Sequence, residues 1–243
     1  MRPVIPVLNI KDSEKLLIVA PHPDDETIGC GGILALYGPQ CDVLLLTDGR
    51  RGIPEGSTLT RDETAAIRKE EFTDVMAFFR VREYKMLGLP DGELAAHAQA
   101  VSAVDLTAYD RIFVPNRRER HPDHQAAFTI IDRLCKKQKA KAKLIEYEVW
   151  SPHICANRFL DVSAVMDTKI AALQRYRSQT ASIDYEALVR GLNMYRGAPH
   201  HVAYCEAFCC GAAKKKGLKE AAARIAPRGL RRGMANMKKT FKA

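Results

Sequence analysis

The chain has 243 residues, 47% of them apolar and 28% charged, with a formal net charge of +9. That length supports one sizeable buried core in a single domain. No run of 18 uncharged apolar residues occurs, so no transmembrane helix is expected, and MRPVIPVLNIKDSEK at the start lacks the apolar stretch and cleavage site of a secretory signal. The charge is uneven. Eleven Lys or Arg and a single acid, Glu220, fall in 214–243, so this tail carries +10 and the rest is near −1. Seven cysteines without CxxC spacing read as reduced thiols of a cytoplasmic protein, most of them small buried apolar residues.

In chain order, KLLIVA (15–20) reads as a buried strand, bounded by charge and proline. GGILALYG (31–38) has helical composition and ends on glycine. CDVLLLTDG (41–49) is a second strand closed by an Asp-Gly turn, and 49–59 is a loop. Thr60, with Glu63 three residues on, predicts a capping box for a helix over 61–79. EYKMLGLPDG (83–92) and DRIFVPN (110–116) are the third and fourth strands. HPDHQAAFTIIDRLCKK (121–137) starts as a turn and continues as an amphipathic helix. KLIEYEVW (143–150) is a fifth strand, helices are expected near 163–178 and 184–196, and HVAYCEAFCC (201–210) is a last strand. Strands alternating with helices predict a Rossmann-like, mostly parallel sheet with helices on both faces, over residues 1–212, followed by a basic tail over 213–243.

In such sheets ligands bind beyond the carboxyl ends of the strands. Two clusters fall there. VAPHPDDE follows the first strand and brings His22, Asp24, Asp25 and Glu26; NRRERHPDH follows the fourth and brings His121, Asp123 and His124. Imidazoles and carboxylates without thiolate suit a catalytic zinc, or another divalent transition metal, with a position open for water. A cation also removes the repulsion among so many acids. His22, Asp25 and His124 could hold it. Asp24 could then take a proton from water that zinc brings to a pKa of about 7, and His121, as imidazolium, could stabilise an oxyanion or protonate a leaving amine.

The paired motifs PHPDDE (21–26) and HPDH (121–124) resemble the LmbE/PIG-L family of zinc-dependent N-deacetylases, which act on N-acetylglucosamine-type conjugates. TDG, LGLPDG (87–92), YRSQ (176–179) and YCEAF (204–208) fall in family order, and the likeness covers about residues 14–210. It implies zinc on His22, Asp25 and His124, Asp24 as general base and His121 as the oxyanion or acid group. It also implies Asp123 as a partner orienting a histidine, and Asp91 and Arg68 as substrate-contacting or supporting residues.

Simpler readings stand beside these. Glu26 could be a helix-start acid, Arg68 and Glu71 an i,i+3 ion pair, Asp91 a turn residue, and GCGG (29–32) a place where a helix packs closely on the sheet. Arg117, Arg118 and Arg120 form either a solvated turn or a cationic rim for an anionic substrate group. His200 and His201 either line the site or cap a strand, and one of Tyr204 and Glu206 is expected to face the active edge. The tail spaces Leu218, Ala222, Ile225, Leu230, Met234, Met237 and Phe241 among its cations, which reads either as a solvated tail or as a segment lying on an anionic membrane at its cytoplasmic face; no specific nucleic acid is expected. The competing functions are hydrolysis of a non-sugar N-acyl amide and an inert membrane- or polyanion-binding module.

Overall fold

In a computed structural model, which describes residues 6–211, seven strands form one sheet. The basic tail, and with it the expected membrane contact through 214–243, lies outside the described residues. The strands are β1 (Leu16–Ala20), β2 (Cys41–Thr47), β3 (Glu83–Leu89), β4 (Arg111–Pro115), β5 (Lys143–Tyr147), β6 (Arg158–Asp161) and β7 (Cys205–Cys210). Their order is β3-β2-β1-β4-β5-β7-β6. The first five are parallel; β7 runs antiparallel to both β5 and β6.

Helices cover both faces because the central strands bury both. In β1, Leu16, Ile18 and Ala20 join the larger core while Leu17 and Val19 join the smaller, as the period of two requires. The larger core lies under α1 (Asp25–Tyr37), α2 (Arg61–Phe78), α5 (Met166–Leu173) and α7 (Tyr185–Gly197). The smaller packs against α3 (Ala98–Val101) and α4 (Pro122–Gln138). Among the described residues no helix is long and apolar enough to cross a membrane, and all seven cysteines are free thiols.

The α2 capping box forms as expected: Thr60 accepts from the Glu63 amide and Glu63 from that of Thr60. Four elements differ from expectation. Helix α1 starts at Asp25, six residues ahead of the expected 31. The helix over 163–178 is broken into a 3-10 turn (Ser163–Val165), α5 and the single turn α6 (Arg177–Thr180). At the break Tyr176 turns inward and its hydroxyl donates to Glu26 (2.5 Å), while the Ser178 amide goes to Glu71 (2.7 Å) rather than to the helix ladder. The last strand starts four residues late, because Ala198–His200 form a 3-10 turn and His201 is left-handed at φ 59°. The edge strand β6 escaped notice, being four residues without alternation.

The GCGG stretch serves close packing. A Cβ on Gly29 would stand 2.1 Å from the Tyr147 ring, and one on Gly32 2.2 Å from Val162. At Cys30 the helix departs from helical geometry (φ −133°, ψ 16°), and the Gly32 amide donates to the buried Glu206 carboxylate (2.6 Å). Glu206 also accepts from the fully buried Lys169 ammonium (2.7 Å), itself bonded to Asn193. Neither Tyr204 nor Glu206 therefore faces the active edge: Glu206 is committed to this ion pair, and Arg190 lies over the Tyr204 ring.

Candidate metal centre

Neighbouring connections leave opposite faces of the sheet between β1 and β4, so the loops after them diverge around a crevice. His22 to Asp25 occupy one loop, Glu119 to His124 the other. The first is pinned to the end of β2, where the Thr47 hydroxyl and amide both donate to the Pro21 carbonyl (2.7 and 3.0 Å). Arg68, buried on α2, completes the clamp by donating to the carbonyls of Gly49 (3.0 Å) and Pro23 (2.5 Å).

Across the crevice three donor atoms converge. His22 Nδ1 is 3.1 Å from Asp25 Oδ2 and 3.2 Å from His124 Nε2, and the last two are 3.1 Å apart. Atoms so spaced share a point roughly 2.0–2.1 Å from each, the length of a zinc–nitrogen or zinc–oxygen bond. The opposite side of the His22 ring fixes its tautomer. Nε2 lies 3.1 Å from Asp91 Oδ1 and 3.2 Å from Asp123 Oδ2, so the proton belongs there and the Nδ1 lone pair faces the gap. Asp123 is itself held by the amides of Gly92 (2.6 Å) and Leu94 (3.1 Å), Asp91 by that of Arg51 (3.0 Å). Burial works against the charge on Asp91, but His22 and the Arg51 amide outweigh it and bring the carboxyl down to about 2. Burial likewise opposes charge on His22, yet Asp123, Asp25 and Asp91 hold its proton affinity well above the usual range. The surroundings favour positive charge at this point.

The geometry therefore suits a divalent cation. The donors are all nearly buried, and His124 Nδ1 has no hydrogen-bond partner among the described residues. Its nearest carboxylate is Glu119 Oε2, 3.9 Å away. Glu119 is fully buried and accepts from the amides of Arg120, Trp150 and Ser151 and from the Ser151 hydroxyl.

Asp24 sits beside the donors without joining them. Its φ of 121° is a region that only glycine adopts readily, so the loop holds it under strain. Oδ2 accepts from Tyr185 (2.8 Å) and from Arg68 (3.2 Å); Oδ1 takes no hydrogen bond among the described residues. Burial above all, then the neighbouring Asp25, raise its pKa against the pull of Arg68 and Tyr185, to about 6. Glu26 is no surface acid at a helix start. It is fully buried, accepts from Tyr176, Thr27 and the Asp24 amide, and burial brings it up to about 7.

His121 is half-buried, its ring centroid 4.6 Å from that of His22 and 5.0 Å from that of His124. Its Nδ1 accepts from the Asp123 amide (3.2 Å) as the cap of α4. Burial and the two neighbouring imidazoles push its pKa down. The α4 cap uses a bare Nδ1, which weighs against the expected imidazolium.

Other expectations fare differently. Arg68 does not pair with Glu71; it reaches Asp24, while Glu71 takes the Ser178 amide and hydroxyl. Arg117 is no part of a cationic rim, since it forms a bidentate pair with Glu146 and lies over the Phe128 ring. Arg118 and Arg120 are exposed. His200 stacks on Phe159 of edge strand β6 (centroids 3.9 Å apart, 15° between planes), not at the β1/β4 crevice. Glu119, Tyr185 and Tyr176 were missed. For Glu119 a signal existed: it is the lone acid in NRRERH, two residues before a motif histidine. The two tyrosines lie 150 and 161 residues from their partners.

A doubly wound sheet presenting two imidazoles and a carboxylate at its switch point defines a class of single-sheet α/β proteins with a metal-type site. The family described as PIG-L, GlcNAc-PI de-N-acetylase, matches residues 17–135, and the chain belongs to it. It is 28% identical over 194 residues to a probable N-acetyl-alpha-D-glucosaminyl L-malate deacetylase 2 of Bacillus cereus, covering 69% of this chain and 84% of the relative. It is 30% identical over 190 residues to the diacetylchitobiose deacetylase of Thermococcus kodakarensis, covering 69% and 71%. The fold is shared with the N,N'-diacetylchitobiose deacetylase from Pyrococcus horikoshii, at a TM-score of 0.70 and 23% identity over 82% of this chain and 84% of that one.

Proposed function

We propose that this chain is a metal-dependent N-deacetylase that hydrolyses the acetamide of an N-acetylated amino sugar or its conjugate. The observation that carries the reading is the triangle of His22 Nδ1, Asp25 Oδ2 and His124 Nε2 beside a carboxylate that keeps one oxygen free. The deacetylases among its relatives support the substrate class.

Those three residues would hold the cation, zinc or another divalent transition metal, which supplies Lewis acidity toward an amide carbonyl and toward water. The chain's own groups do the rest. Asp91 and Asp123 keep the proton on His22 Nε2 and so keep Nδ1 available. Arg68 and Tyr185 fix one oxygen of Asp24, leaving Oδ1 to take a proton from the attacking water. His121, proton on Nε2, donates a hydrogen bond to the oxygen of the amide as charge builds on it. Asp24 then passes that proton to the leaving amine as the C–N bond breaks, and the products are acetate and a free amino sugar.

Acetate release across a panel of N-acetyl sugars and non-sugar N-acyl compounds tests the reading. Turnover confined to the sugars supports it; turnover of non-sugar amides alone contradicts it. The eleven cations of 214–243 support a further part of the proposal, peripheral contact with an anionic membrane on the cytoplasmic side. Full-length protein should sediment with anionic liposomes and a 1–213 chain should not. Both remaining in the supernatant contradicts the contact.

A further inference from the structure

The chain's single tryptophan, Trp150, stands just beyond β5 and is 39% exposed. Its backbone is held at several points. The Trp150 amide donates to Glu119 (2.9 Å), as do the Ser151 amide (3.0 Å) and hydroxyl (2.5 Å), and the Ser151 carbonyl accepts from Asn116 (3.0 Å). Further along, the His153 amide is taken by Glu148 (2.5 Å) and the His153 carbonyl accepts from Arg196 on α7 (2.8 Å). A rigid backbone thus presents a large apolar ring that the core leaves partly in water.

The position of that ring gives it a use. Its centroid is 6.1 Å from that of Tyr185, whose hydroxyl is 2.8 Å from Asp24 Oδ2. The same Glu119 that anchors the Trp150 backbone faces His124. Trp150 is therefore tied to both halves of the site: through Glu119 to the metal side, through Tyr185 to the base. On the same segment Ile154 is 84% exposed. An aromatic face on a rigid support binds flat apolar surfaces at low entropic cost, and the C–H face of a pyranose is such a surface.

Resting on the N-deacetylase reading, we infer that Trp150 is a specificity-determining platform for a second ring. The substrate class is an N-acetyl amino sugar joined to another pyranose or ring-bearing group, which lies on the indole while the acetamide reaches Asp24. The preference for two-ring substrates then resides in one side chain, and substituting it leaves the backbone bonds to Glu119 in place.

The test compares N-acetylglucosamine with N,N'-diacetylchitobiose. In the wild type, kcat/KM for the two-ring compound is expected to exceed that for the single sugar by about tenfold or more, mostly through KM. Trp150→Ala should collapse that ratio to about threefold or less, and Trp150→Tyr should retain most of it. A ratio unchanged in Trp150→Ala overturns the inference. Emission gives an independent reading, because Trp150 is the only tryptophan. In metal-loaded Asp24→Asn, adding diacetylchitobiose should shift or quench it saturably and N-acetylglucosamine should do so weakly. Acetate release by the wild type with no emission response overturns the platform and leaves the deacetylase reading standing. No acetate from any compound overturns that reading, and a saturable emission response would still support the platform.

Discussion

At the start of α1, Asp24 and Asp25 share a buried space with Asp91 and Asp123, and among the described residues Arg68 is the one Lys or Arg side chain bonded to any of them. Two turns further along the same helix, Glu206 and Lys169 are buried just as deeply but face each other at 2.7 Å, with Asn193 on the ammonium and the Gly32 amide on the same carboxylate oxygen. The second cluster neutralises itself within the chain. The first does not: its carboxylates outnumber the cationic side chains beside them, its donors point at one another, and its strained aspartate keeps a free oxygen. Buried charge left uncompensated is costly, so the difference marks one cluster as structural support and the other as a place for a cation and chemistry.

Substitutions can break or sharpen this contrast. The largest effect belongs to Asp24→Asn, which removes the proposed base and leaves His22, Asp25 and His124 intact. Turnover should fall on the order of 10²–10⁴-fold, with metal content by atomic emission equal to wild type. Next comes Glu206→Ala, which strands a fully buried ammonium. Denaturant unfolding should record a loss of about 3–5 kcal/mol, and combining Glu206→Leu with Lys169→Met, which removes both charges, should avoid most of that loss. A smaller change is expected from Tyr185→Phe. It removes one of two bonds to Asp24 Oδ2, lowering kcat about tenfold in steady-state assays with little change in unfolding free energy.

The smallest effect concerns a buried imidazole outside both clusters. Burial, above all, lowers the pKa of His153, whose Nε2 lies 3.0 Å from the Glu146 carbonyl. The folded form keeps this ring neutral where the unfolded chain already binds a proton, so stability is complete above the ordinary value of 6.5 and declines as pH falls below it. Thermal melts of His153→Asn should show a shallower decline over that range.

What the sequence disclosed follows the same division. The β1 and β2 runs, the α2 capping box and the two acid–histidine motifs were legible because each is decided within a few residues. Their meeting was legible too, since a parallel sheet brings the ends of β1 and β4 together. The supports were not. Tyr185 on Asp24, Tyr176 on Glu26 and Glu206 on Lys169 are pairs made by packing, and neither partner carries a local mark of the other. His121 shows a finer limit: its motif position is plain, but its lowered proton affinity depends on burial and on two imidazoles that the fold brings alongside.

The convergence of three donor atoms on one cation is tested most directly by metal content. Wild type and Asp25→Ala, each incubated with excess zinc and then desalted, would be measured by inductively coupled plasma mass spectrometry. One ion per chain is expected in the wild type and far less in the variant. A wild type that retains no divalent ion, or a variant that retains as much as the wild type, would contradict the account.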